Sequence, residues 1–150
     1  MITFPIGHRL RPIFFGGRNK SPTDRHEHFA HRNAAYSLTR AWLAVDDPAP
    51  ELKLFAAVGG SVSEEDVQVP EPVRIRTVTF GAARILLLPG SRERLPGRPV
   101  IGASVVVKAL SDVPRQLQAS GLKPVAGTSS TILLPPEQTH GIWLEFRERR

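Results

Sequence analysis

Glu145 is the residue most suited to proton chemistry by its surroundings, because it interrupts the apolar run Ile142-Trp143-Leu144-Glu145-Phe146. In an extended strand, alternation sets Trp143 and Glu145 on one face and Leu144 and Phe146 on the other. A carboxylate placed there either serves as a general base or is a structural charge that needs a partner. His140 precedes Gly141 at the start of the same run and is either a second proton-transfer group or a residue of a turn or cavity rim. Trp42 and Trp143 both fall in strand-like stretches, where each packs in the core or forms the apolar wall of a pocket. His26, His28 and His31, with Asp24, have metal-binding donor types. They lie in a stretch with no apolar period to fix their geometry, so no specific metal site is expected from them.

The absence of cysteine removes disulfides, thiolate zinc sites, iron–sulfur clusters and a cysteine nucleophile together. The sequence also holds no Gly-x-Gly-x-x-Gly, P-loop, Gly-x-Ser-x-Gly or His-Glu-x-x-His pattern, so nucleotide, hydrolase and zinc-protease readings lose their motif support. The formal net charge of +6 is an arginine excess, 16 Arg beside 4 Lys, gathered before position 33, at 92–98 and at 147–150. Neither stacking aromatics nor a reading helix accompanies those charges, so no specific nucleic-acid partner is expected. No run reaches the ~18 apolar residues of a membrane span and no signal peptide opens the chain, so the expected location is cytoplasmic.

A chain of 150 residues is the size of one domain, and its composition is that of a globular protein. Residues 1–35 read as an extension or linker with one apolar patch, Ile13-Phe14-Phe15. The remainder, 36–150, divides into similar halves of about 36–90 and 99–150. In the first, a strand over 38–45 leads through Asp46-Asp47-Pro48 into a helix carrying Leu52, Phe55 and Val58 and ending at Gly59-Gly60. In the second, a strand over 101–107 leads into a helix capped by Ser111 or Asp112, with Pro114 in its first turn and a stop at Gly121. A shift of 62 positions superposes Val45 on Val107, Phe55 on Leu117 and Gly59 on Gly121. Three strands follow each helix, over 62–69, 73–80 and 84–88, then over 123–126, 130–134 and 142–146. The reading is α+β, with two tandem βαβββ modules that pair because neither covers its own sheet.

This duplication, closed by His140-Gly-Ile-Trp-Leu-Glu145-Phe, resembles the vicinal oxygen chelate superfamily, which includes the glyoxalases and dihydroxybiphenyl dioxygenases. It looks closest to a glyoxalase-like group poor in metal ligands, with Ile13-Phe14-Phe15 and His31-Arg32-Asn33-Ala34 in place of that group's leading strand and HPNG-like element. The resemblance implies a partly open, barrel-like mixed sheet with a pocket between the modules, and residues 1–35 as the exit of a preceding domain. Metal enzymes of the superfamily take ligands from the first and last strand of each module. The matching positions here are Arg40, Gly102, Leu88 and Glu145, of which only Glu145 is a donor, so no metal and no cofactor are expected.

The expected function is therefore a glyoxalase-like, metal-independent domain that binds a small organic molecule through Arg40, Trp42, Trp143 and Glu145. If the modules close around one cavity, Arg40 and Glu145 meet as a buried pair; otherwise Arg40 is free to hold a substrate carboxylate. The alternatives are a lyase or isomerase using Glu145 or His140 for proton transfer, and a dimerising interaction domain without a small ligand. A homodimer is the expected assembly, since edge strands in this architecture pair between chains.

Overall fold

The structure, a computed structural model, describes residues 35–148. The first set of elements is β1 (Ala35–Val45), α1 (Ala49–Ala57), β2 (Ser61–Gln68), β3 (Pro72–Phe80) and β4 (Ala83–Pro89). The second is β5 (Val100–Val107), α2 (Val113–Ala119), β6 (Val125–Ala126), β7 (Thr131–Leu134) and β8 (Trp143–Glu148). They form one eight-stranded sheet in the order β2-β3-β4-β1-β5-β8-β7-β6, curled into a half-barrel. No helix among the described residues is long and apolar enough to cross a membrane.

The repeat extends to individual hydrogen bonds. Gly60 N donates to Phe55 O and Leu122 N to Leu117 O, each at 2.9 Å, while Gly59 and Gly121 both turn the chain with positive φ, 92° and 73°. Glycine takes this left-handed conformation at little cost, which is why both helices stop at the equivalent residue. The modules meet where β1 and β5 run antiparallel, with Arg40 opposite Ser104, Ala41 opposite Ala103 and Trp42 opposite Gly102. Exchanging each residue for its equivalent 62 positions away reproduces these same pairs, so the pseudo-twofold axis passes between Ala41 and Ala103. In each module the first strand also runs parallel to the last, β1 with β4 and β5 with β8.

Both helices pack on one face. Phe55 of α1 meets Phe80 of β3 edge to face at 6.2 Å, and Val113 and Leu117 of α2 pack with Val107, Leu134 and Phe146. The opposite, helix-free face carries a second core of Trp42, Ala44, Ile75, Leu86, Leu88 and Leu133. Alternation along each strand supplies both layers.

Several boundaries differ from the pattern reading. Strand β6 is two residues long, not the expected 123–126, because the Gln138 side chain takes both the N–H and the C=O of Lys123 at 2.7 and 2.8 Å and holds it out of the ladder. Strand β7 starts at Thr131 because Thr128 to Thr131 close a hydroxyl-bonded turn, Thr128 N to Thr131 Oγ1 at 2.8 Å. Asp112 stands at the start of α2 with no side-chain cap; its carboxylate pairs with Arg115 at 3.3 Å instead. Strand register also moves the repeat match on the last strands. Trp42 pairs with Leu86, and the equivalent Ser104 pairs with Glu145, so Glu145 corresponds to Leu86 and not to Leu88.

Candidate functional site

The ladders place one row of side chains across the helix-free face. Thr79 of β3 is opposite Arg84 of β4, Arg84 opposite Arg40 of β1, Arg40 opposite Ser104 of β5, Ser104 opposite Glu145 of β8 and Glu145 opposite Leu133 of β7. The adjoining row runs Thr77, Leu86, Trp42, Gly102, Trp143. A charged row thus lies beside an apolar one. On the far side of the charged row, Arg147 follows Glu145 by two residues along β8 and so points to the same face.

Of the two arrangements set out above for Arg40 and Glu145, the buried pair does not form. Ser104 separates them, and two strand spacings are about 10 Å. The cation within ion-pair reach of Glu145 is Arg147, with Nη1 4.0 Å from Oε2. Glu145 is only 3% exposed, and its Oε2 is buried without a hydrogen-bond partner. The second carboxylate on this face, Glu65 of β2, has both oxygens engaged: Thr77 Oγ1 donates to Oε1 at 2.7 Å and Arg84 Nη1 to Oε2 at 3.2 Å. The Arg40 side chain makes no hydrogen bond or ion pair to any described residue. Burial holds its pKa below the usual arginine value and Arg147 lowers it further, while Glu145 and Glu65 act the other way.

Arg40, Glu65 and Arg84, with Thr39 and Ala82, from the first module and Val106, Arg147 and Glu148 from the second border a cavity of about 490 Å³; Glu145 and Ser104 are buried beneath this row and are not in its lining. The other expected site residues are placed elsewhere. Trp42 is fully buried, and its indole Nε1 donates to Ser104 Oγ at 3.0 Å, a bond between two repeat-equivalent positions. Trp143 is half-buried and lines a separate cleft of about 270 Å³ with Val69, Arg92 and Ile101. His140 is exposed in a turn with φ of 57° and lines neither space. His26, His28 and His31 lie outside the described residues.

The donor set does not suit a divalent ion. At the positions where the superfamily would place ligands stand Arg40 and Gly102 and either Leu86 with Glu145 or Leu88 with Arg147. That leaves at most one carboxylate, beside a guanidinium that has no lone pair to give. Among the described residues there is no group of three or more His, Asp or Glu able to hold a metal.

Ser104, Glu65, Arg84 and Arg147 carry no local sequence signature of a site. Arg147 was within reach, since a residue two positions after Glu145 on one strand shares its face. Glu65 and Arg84 needed the β2-β3-β4 register, which the alternation of residues alone does not supply.

No family model matches the sequence, and no curated protein matches it in sequence. Solved structures do match its fold. Methylmalonyl-CoA epimerase from Mycobacterium tuberculosis is 18% identical with a TM-score of 0.66, over 84% of this chain and 96% of that one. A Streptomyces coelicolor methylmalonyl-CoA epimerase variant in complex with 2-nitronate-propionyl-CoA is 18% identical with a TM-score of 0.59, over 75% and 93%. A methylmalonyl-CoA epimerase in complex with methylmalonyl-CoA and NH4+ is 17% identical with a TM-score of 0.58, over 74% and 92%. The chain thus has the fold of the vicinal oxygen chelate superfamily.

Proposed function

We propose that this domain binds a small organic molecule, without a bound metal, in the cavity that its two modules build on the helix-free face. The supporting observation is the lining: both modules contribute polar and apolar groups around about 490 Å³, five residues from the first and three from the second, a volume within the range of small-molecule sites. Two of the epimerase structures that share the fold are complexes with CoA-linked ligands, which agrees with a small-molecule role. The ligand-poor glyoxalase-like group remains the subgroup we favour, on the donor set above. A homodimer is the proposed assembly, because β2 and β6 end the sheet with unpaired edges among the described residues.

The test is a thermal-shift screen of small carboxylic acids and aromatic compounds. A ligand at 100 times its Kd stabilises by about 2.7 kcal/mol, a clear rise in Tm. No shift across a broad library would turn the reading towards a dimerising interaction domain.

A second reading, an isomerase or lyase, is favoured by Glu145: a buried carboxylate oxygen lacking a hydrogen-bond partner is free to take a proton. Arg147, 4.0 Å away, is the ion-pair partner that a proton-transfer role would have to give up. On this reading Glu145→Gln abolishes turnover while ligand binding persists; His140, exposed in its turn, is the weaker candidate. Loss of binding and turnover together in Glu145→Gln would count against it.

A further inference from the structure

Resting on the pocket reading, we infer that the ligand is a monoanionic carboxylate whose oxygens are bound by the Arg40 guanidinium. Arg40 and Arg84 are register neighbours on adjacent parallel strands, which puts two guanidinium stems about 4.8 Å apart on one face. Like charges so placed destabilise a sheet unless something offsets them. For Arg84 the offset is present in Glu65 at 3.2 Å, itself anchored by Thr77. For Arg147 it is Glu145 at 4.0 Å. Glu65 and Glu145 are therefore assigned, Glu148 in the lining makes no ion pair with Arg40, and among the described residues Arg40 is the cation of this row left without a partner.

The row offers Arg40 no acceptor of its own. Its partner across β5 is Ser104, whose Oγ already accepts the Trp42 indole. A guanidinium cannot shed its proton at ordinary pH, and it presents paired N–H groups that match the two oxygens of a carboxylate. An incoming carboxylate supplies what the row lacks.

The surrounding charges select a single negative charge. The lining holds Arg40, Arg84 and Arg147 with Glu65 and Glu148, and the buried Glu145 lies beside Arg147, so these charges are formally neutral together. A dianion such as phosphate would bring its second charge against Glu65 on one side and Glu145 on the other. Val106 leaves an apolar surface in the lining for the hydrocarbon part of an organic acid.

The experiment compares benzoate with benzamide, and cyclohexanecarboxylate with its amide, by titration of the full chain followed by NMR, with inorganic phosphate as the dianion. Wild type is expected to bind each acid at least about tenfold more tightly than its amide. Phosphate at pH 8 should bind more weakly than either acid. Arg40→Gln should lose the preference for acids, and Arg40→Lys should keep part of it, since the charge remains and the fork is gone. Unliganded Arg40→Gln should melt no lower than wild type, which separates loss of binding from loss of fold. Equal binding of acids and amides, or an acid preference that survives in Arg40→Gln, would overturn the inference and leave the pocket reading standing. Failure of every compound to shift cavity resonances would bring down both.

Discussion

At Gly102 a side chain has no room. A Cβ built there would lie 2.4 Å from Trp42 Cε3, 2.7 Å from Trp42 Cδ2 and 3.1 Å from Trp143 Cβ. The Trp42 ring crosses the β5 backbone at this point, and being fully buried it cannot swing away. Gly102→Ala is expected to cost about 1–3 kcal/mol as an overpacked core, read from the midpoint of urea unfolding. Most of that cost should vanish in a Trp42→Leu background, because the two sites share one space. If the penalty is the same in both backgrounds, the contact is not its cause. The asymmetry of the repeat is visible here as well: Gly102 is the equivalent of Arg40, and Ser104 of Trp42. Large side chains on one module are matched by small ones on the other, so a duplicated sheet acquires a single off-axis site.

Elements are held in place by side chains from neighbouring loops. Arg92 in the linker between the modules donates to the Val69 carbonyl and pairs with Glu71 at 3.4 Å, while Arg94 pairs with Glu137 at 3.4 Å, so the linker is tied to both halves. In the second module Gln138 grips the backbone of Lys123 from both sides and fixes the entry to β6. These bonds are exposed, so Gln138→Ala should lower global stability by only about 1 kcal/mol. Its larger effect should be local, with faster amide exchange at 123–126 and little change in β5 and β8. Uniform acceleration across the sheet would contradict a local latch.

The two βαβββ sets share one sheet, and the described part of the chain should therefore unfold as one unit. The β1–β5 seam joins them through backbone hydrogen bonds, and the helix-free core mixes Trp42, Leu86 and Ile75 with Ile101 and Leu133. Urea transitions followed by tryptophan fluorescence and by far-ultraviolet circular dichroism should coincide. A cavity mutation in either set, Leu86→Ala or Leu133→Ala, should shift both signals together, by about 2–5 kcal/mol. Two separated transitions would show that each module is stable alone.

Much of this architecture is written locally. The offset of 62 positions, the glycine stops at Gly59 and Gly121 and the alternation around Trp143 and Glu145 are properties of neighbouring residues, and they predict an α+β duplication with Glu145 and Arg40 on strand faces. Short-range physics sets those features: helix stops, capping turns and the two-residue period of a strand. Which charges meet is decided by strand order and register, which depend on contacts between distant segments. Ser104 stands between Arg40 and Glu145, Arg147 is beside Glu145, and Glu65 reaches Arg84 only because β2, β3 and β4 are paired as they are. A slip of two residues on β4 keeps every side chain on its face yet exchanges Leu88 for Leu86 opposite Trp42. Alternation is blind to that slip, and only the folded ladder distinguishes the two.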